Sequence, residues 1–152
     1  MPSLETHVIV NSIFGKFFRA KKNMPFFIIG GILPDILTRI PTMLHEGSYW
    51  YVVSFHTPLV QVIVCYLIAM CFKIEYRRSV FLWLYCGVVF HFLPDALQRH
   101  MGKGYSWFFP FYFDSYQWGL FWPEESLLFV PILLLLWLLV YSGDVFKKRK
   151  KQ

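Results

Sequence analysis

The sequence predicts an all-α integral membrane protein, a bundle of about four to five membrane-embedded helices, some of them short or broken by proline. Two observations carry that prediction. The chain is 57% hydrophobic and 21% aromatic with only 16% charged residues, and its mean hydropathy is +0.46, whereas a soluble surface needs roughly 25–35% charged residues. Its basic residues are grouped at 16–22, 73–78 and 147–151, the pattern of turns held on the cytoplasmic side of an inner membrane. A formal charge of +6 would suggest nucleic acid in a soluble protein. Grouped in such turns it is a topology signal, and no nucleic-acid partner is expected. At 152 residues there is room for one domain, 1–146, followed by a basic cytoplasmic tail, 147–152.

Taken in order, residues 4–18 place Leu4, Val8, Ile9, Val10, Ile13, Phe14, Phe17 and Phe18 at helical spacing, opposite a polar side made of His7, Asn11 and Lys16. This segment is short for a span of about 20 residues, so it reads as a tilted or half-buried helix. A basic turn at 19–23 leads into an apolar helix over 24–40 that contains Gly30, Gly31 and Pro34 and that Pro41 should close. Residues 42–47 then form a polar connection with His45 and Glu46. The run 48–72 is long enough to span with tilt although His56, Thr57 and Pro58 interrupt it, and 79–99 returns after the basic turn at 73–78. An aromatic loop over 100–119 has the composition of a membrane-interface segment, and 120–141 is the cleanest apolar span. The opening MPSLETHVIVNSIF shows neither a basic start nor a small-residue cleavage site, so no removable leader is expected. Cys65, Cys71 and Cys86 show no metal-binding spacing and should be free thiols.

Polar residues inside these segments are the candidates for function. His91 and Asp95 stand four apart, on one face of a helix, close enough to share a metal ion or a proton. The phrase Leu93-Pro94-Asp95-Ala96-Leu97-Gln98-Arg99 echoes Leu33-Pro34-Asp35-Ile36-Leu37-Thr38-Arg39 at five of seven positions. If the basic turns share one side, the chain hairpins between them. Counting inward at about 1.5 Å per helical residue then brings His7, Asp35, His56, His91 and Asp95 to one depth, toward the far leaflet. An unpaired ionisable residue in a span costs about 2.5–3.5 kcal/mol on insertion scales, so five unrelated ones are hard to accept. Glu124 and Glu125 reach the same layer, although acidic residues at a helix start also complement its dipole.

Imidazole and carboxylate together favour Zn²⁺ first, with Mn²⁺ or Fe²⁺ as alternatives, over Mg²⁺ or Ca²⁺. Five ligands, His7, Asp35, His56, His91 and Asp95, could hold one ion or two. Asp35, Asp95 or Glu124 would relay protons. Arg39 and Arg99, each four residues after an aspartate, could pair with it or face a phosphate, with His45 and His100 as further substrate contacts at the interface. Pro34 and Pro94 should loosen the helices where the aspartates sit.

The order of these motifs resembles that of the small membrane-bound metal-dependent hydrolases described as LexA-regulated, distant relatives of the zinc-dependent bacterial phospholipases C. The resemblance covers about residues 6–131. It runs through His7, the Gly30-Gly31-Ile32-Leu33-Pro34-Asp35 phrase, a His-Gly element at His45 and Gly47 leading to His56-Thr57-Pro58, the Gly87/His91/Asp95 helix, and Trp107 with Pro110-Phe111. The chain departs from that pattern in two places. The His-Gly and His-Thr elements, contiguous in the family, are separated here, and no second aspartate follows Asp35. The resemblance implies a divalent-metal hydrolase of phosphoester bonds in a helical membrane fold. With the cluster toward the far leaflet, the expected substrate is a phosphoester of a membrane lipid or lipid-linked molecule at the non-cytoplasmic leaflet. Read from residues alone, a small transporter or ion pathway with carboxylate and histidine sites on broken helices stays open beside it.

Overall fold

The computed structural model describes residues 4–48, 53–99, 105–122 and 124–149 and shows an all-α chain of five helices. These are α1 (Leu4–Phe17), α2 (Met24–Leu44), α3 (Pro58–Met70), α4 (Ile74–Leu97) and α5 (Ser126–Arg149). Short 3₁₀ turns at Lys21–Asn23, Glu46–Ser48 and Val53–His56 lie between them. The stretches Lys21–Leu44 and Ile74–Leu97 are long and apolar enough to cross a membrane, and Pro58–Met70 and Leu128–Ser142 are shorter apolar helices. At about 1.5 Å per residue, the 14 residues of α1 and the 13 of α3 reach only about two thirds of a 30 Å hydrocarbon core.

Several helix ends differ from the sequence expectation. Pro41 does not close α2, which continues to Leu44 and takes in the start of the expected polar connection. Here Thr38 Oγ1 donates to the Pro34 carbonyl at 2.9 Å and Thr42 Oγ1 to the Thr38 carbonyl at 2.6 Å, adding side-chain donors to a stretch that its prolines deprive of two N–H groups. Pro34 and Pro94 likewise lie inside continuous helices. Within the expected span 48–72 the described α-helix begins at Pro58, which occupies the first turn where a missing N–H costs nothing. Helix α4 starts at Ile74, so Arg77 and Arg78 belong to the helix, and α5 starts at Ser126 and runs past position 146 into the basic tail.

Helix α1 ends in a Schellman motif. The Ala20 N–H donates to the Gly15 carbonyl at 2.8 Å and the Arg19 N–H to the Lys16 carbonyl at 3.0 Å. Arg19, at φ 56°, occupies the left-handed position that glycine usually takes, at a cost of about 1–2 kcal/mol for a residue with a Cβ. The turn reverses the chain into α2, and the side chains of Asn23 and Ser79 join the starts of α2 and α4 at 3.3 Å. Lys16 contacts the Val140 carbonyl and the Tyr141 hydroxyl donates to the Ser12 carbonyl at 3.3 Å, which seats α5 against α1. These contacts place the basic residues of the α1–α2 turn near Val140 and Tyr141, toward the C-terminal end of α5.

Helices α2 and α4 run parallel and cross with no side-chain layer between them. A Cβ on Gly30 would meet the Leu84 main chain, and one on Gly87 would stand 2.9 Å from the Gly31 nitrogen and 3.0 Å from the Phe27 carbonyl carbon. Glycine lets the two backbones meet, as small residues do where membrane helices pack closely. An apolar core of Leu33, Cys65, Ala69, Val80, Leu84, Val88 and Phe92 fills the space between α2, α3 and α4. The three cysteines are free. Beyond the crossing, the most deeply buried side chains are polar: His7, Asn11, Asp35, His56, Gln61, His91 and Asp95 are each 1% exposed or less. Many outward-facing side chains of α3, α4 and α5 are large and apolar, including Ile63, Leu67, Val89, Leu128, Ile132 and Leu135, as a lipid solvent requires.

Candidate metal centre

Each of the five buried ionisable residues arrives on a different element or at a different level. His7 is one turn into α1, Asp35 lies midway along α2, His56 ends the 3₁₀ turn before α3, and His91 and Asp95 occupy the last two turns of α4. The glycine crossing sets their separation. It brings the Gly31 carbonyl to 2.8 Å from His91 Nδ1. A carbonyl only accepts, so Nδ1 carries the proton and the Nε2 lone pair is left for the centre of the cluster. From there His91 Nε2 is 3.2 Å from Asp95 Oδ2, 3.4 Å from His56 Nε2 and 4.0 Å from Asp35 Oδ1. His7 stacks on His91 with ring centroids 3.9 Å apart and points Nε2 at Asp95 Oδ1, 3.5 Å away, and Asp35 Oδ2, 3.9 Å away.

Two groups of side chains offer ligand atoms all within 4.8 Å of one another: His7, Asp35 and His91, and His56, His91 and Asp95. Ligands about 2.0–2.2 Å from one ion stand about 3.0–3.5 Å apart, close to most of the separations above. One contact is shorter. His56 Nε2 and Asp95 Oδ2 are 2.6 Å apart, a hydrogen bond, and would have to part slightly to serve one ion together. Among the described residues, His7 Nε2, Asp35 Oδ1 and Asp95 Oδ1 are buried with no hydrogen-bond partner. Two carboxylates face one guanidinium, because Arg39 Nη2 pairs with Asp35 Oδ2 at 2.8 Å. A buried set with that surplus of negative charge and orphaned atoms is costly unless a cation or protons complete it. The donor set of three nitrogens and two carboxylates fits a divalent transition ion. Both groups use the same His91 lone pair, which can serve a single ion.

A model of the YdjM inner membrane protein family matches residues 1–151. The chain belongs to the YdjM inner membrane protein family. No curated protein and no solved structure matches it. Among the described residues of this YdjM family member, the helices both long and apolar enough to span are α2 and α4, the two that carry Asp35, His91 and Asp95.

The remaining candidates from the sequence lie elsewhere. Arg39 is on the helix, one turn from Asp35, and its side chain is 34% exposed. Arg99 shares the four-residue spacing but not the geometry. Helix α4 ends at Leu97 and Gln98 is extended, so Arg99 leaves the face of Asp95. Its Nε donates to the Gly119 carbonyl at 2.7 Å, and its guanidinium lies over Trp122. His45 is exposed at the C-terminal end of α2 and Glu124 is exposed in the turn before α5. Among the described residues, neither belongs to a metal-capable group. Glu125 Oε2 accepts the Trp122 N–H at 2.7 Å, a structural role at the entry to α5. His100 lies outside the described residues.

Three supporting residues carry little signal in sequence. Asn11, one turn after His7, donates from Nδ2 to the His7 carbonyl at 2.9 Å and fills the space beside Gly31. Gln61, a lone amide in the apolar helix α3, donates to the Phe55 carbonyl at 2.5 Å and anchors the turn that presents His56. Tyr105 stacks on the His56 ring at 4.8 Å between centroids. It belongs to the segment 105–122, which folds back on the end of α4 through Trp118 N–H to Ala96 O at 2.8 Å and Leu120 N–H to Leu97 O at 2.7 Å.

Proposed function

We propose that the cluster is a divalent metal centre, Zn²⁺ first among the candidates, and that the protein is an integral membrane hydrolase of phosphoester bonds in a lipid or lipid-linked substrate. The observation that carries this reading is the convergence of three imidazoles and two carboxylates, fully buried, with unsatisfied atoms turned toward one another. A divalent ion there supplies Lewis acidity and lowers the pKa of water. The chain's own residues do the rest. His91, held by Gly31, keeps a fixed tautomer. Asp95, which faces three imidazoles, would take a proton from the attacking water. Arg39 spans the distance between Asp35 and the exposed edge, where its planar fork suits a phosphate.

A lipid substrate is supported by a groove of about 540 Å³ on the same side of the bundle, lined among others by Leu59, Val62, Tyr85, Trp107, Phe111 and Trp118. Trp107 packs edge-on against Phe92, and Phe92 against His56 and His91, so groove and cluster share one aromatic wall. An acyl chain in the groove puts its head group near the cluster, beside the ring of Tyr105 that stacks on His56. The resemblance to LexA-regulated membrane hydrolases supports the same reading, which puts the site toward the far leaflet and the basic tail in the cytoplasm. The ion-pathway alternative has less support, since α2 and α4 are continuous through their prolines rather than split into half-helices.

The test is elemental analysis of the detergent-purified protein, followed by phosphate release from phosphatidic acid vesicles and release of the chromogenic alcohol from a phosphodiester. About one equivalent of transition metal is expected, with turnover abolished by chelation and by Asp95→Asn. A metal-free protein that takes up none on incubation with Zn²⁺ refutes the centre. A metal-loaded protein that cleaves neither substrate refutes the hydrolase.

A further inference from the structure

At the basic end of the bundle, Lys16, Arg19, Lys21, Met24 and Tyr141 line a pocket of about 450 Å³ that shares no lining residue with the histidine and aspartate cluster. Three of the five are cations, and among the described residues no carboxylate lines it. Lys16 is held in place: its ammonium lies 4.2 Å from the centre of the Tyr141 ring and touches the Val140 carbonyl. The Tyr141 ring is fixed in turn by its hydroxyl on the Ser12 carbonyl.

A second and independent observation is the backbone. Arg19 at φ 56° and Lys21 at φ 37° are the two non-glycine residues with positive φ among those described. Arg19 occupies the position of the Schellman motif where glycine relieves the strain, and the chain places its largest cation there. Two cations on strained backbone around a shared pocket add repulsion to strain. Strain of this kind persists where the side chain has a use, and an anion between the three cations relieves the repulsion. Next to the pocket, at the end of α1, Phe17 and Phe18 are 78% and 48% exposed, an apolar surface suited to acyl chains. Basic pockets between membrane helices on the positive side are the usual seats of anionic head groups.

We infer that this pocket binds the phosphate of an anionic lipid head group in the leaflet on the basic side of the bundle. The site is separate from the metal centre and stands whether or not that centre is catalytic. The guanidinium of Arg19 grips the phosphate oxygens, Lys16 and Lys21 add point charges, and Phe17 and Phe18 lie along the chains.

Binding is measured on the full-length protein in an uncharged detergent, by native mass spectrometry and thermal melting. The probes are short-chain phosphatidylglycerol, short-chain phosphatidylcholine and inorganic phosphate. Arg19→Gly provides the residue its backbone favours, so without lipid it melts at or above wild type. Phosphatidylglycerol is expected to bind and raise the melting temperature of wild type, with affinity about fivefold weaker in Arg19→Gly and in Lys21→Gln, from about 1 kcal/mol per interfacial cation. Arg78→Gln, which removes an exposed charge in the second turn of α4, should bind as wild type does. Undiminished binding in both pocket variants overturns the inference, as does an equal loss in Arg78→Gln, which means diffuse surface charge only. Equal binding of phosphatidylcholine overturns it in favour of acyl chains alone, and equal stabilisation by inorganic phosphate in favour of a soluble anion.

Discussion

Gly87→Ala tests the link between backbone crossing and metal centre without touching a ligand. The added methyl would stand 2.9 Å from the Gly31 nitrogen and 3.0 Å from the Phe27 carbonyl carbon, and closer still to the Phe27 oxygen, where 3.4 Å or more is ordinary contact. Main-chain atoms cannot rotate away, so α2 and α4 must part by about 1 Å or more. Overpacking of this kind costs roughly 1–3 kcal/mol. The 2.8 Å bond from His91 Nδ1 to the Gly31 carbonyl stretches beyond hydrogen-bond range and forfeits about 1 kcal/mol more. Metal sites tolerate errors of about 0.2 Å in ligand distance, so Asp35 on α2 can no longer share an ion with His91 and Asp95 on α4. The assay pairs metal stoichiometry with the melting temperature in detergent. A loss of most bound metal and a fall on the order of 10 °C are expected. Gly47→Ala serves as control, because a methyl there meets mainly the movable His45 ring. A Gly87→Ala protein with wild-type melting and wild-type metal content refutes the account of how the site is held.

Asp95→Asn removes the charge that three imidazoles face; metal content should fall at least tenfold in elemental analysis, with a stability loss of roughly 1–3 kcal/mol. Chelation should lower the melting temperature and Zn²⁺ restore it, since an ion that binds only the folded chain stabilises it. Acidification should act in the same direction as chelation, because imidazoles and carboxylates bind metal only after losing their protons, so metal retention on a desalting column falls as the pH falls. Arg39→Ala should keep its metal but slow phosphate release. Arg99→Ala should instead loosen segment 105–122, seen as faster amide exchange there, because its Nε bond goes to Gly119.

The gathering of His7, Asp35, His56, His91 and Asp95 was legible because a membrane segment makes every ionisable residue conspicuous, and because the basic turns fix where each segment begins. Helix ends were less legible. Pro41 reads as a stop in sequence, yet α2 continues past it to Leu44, with Thr42 back-bonded to the Thr38 carbonyl. Arg99 was misleading for a related reason. Its spacing from Asp95 copies that of Arg39 from Asp35, but spacing means proximity only while the helix lasts, and α4 ends at Leu97. Asn11 and Gln61 are ordinary amides until their partners are known, since each bonds a carbonyl that only the folded chain brings near. Tyr105 on His56 depends on a return of 105–122 over α4 made largely by main-chain bonds, which side-chain composition does not encode.

The bare crossing of α2 and α4 divides the histidine and aspartate cluster into a stiff half and a compliant half. Asp35, His91 and Asp95 ride on two long helices clamped main chain to main chain, and their spacing works like a fixed gauge. His7 and His56 come from a 14-residue helix and a 3₁₀ turn, neither able to reach across the bilayer. When the membrane thickens or thins, helices adapt by tilting, and the clamped pair must tilt as one body. The accommodation falls to α1 and to the turn before α3, so a change in bilayer thickness would reach the cluster first through His7 and His56, before the carboxylates of Asp35 and Asp95.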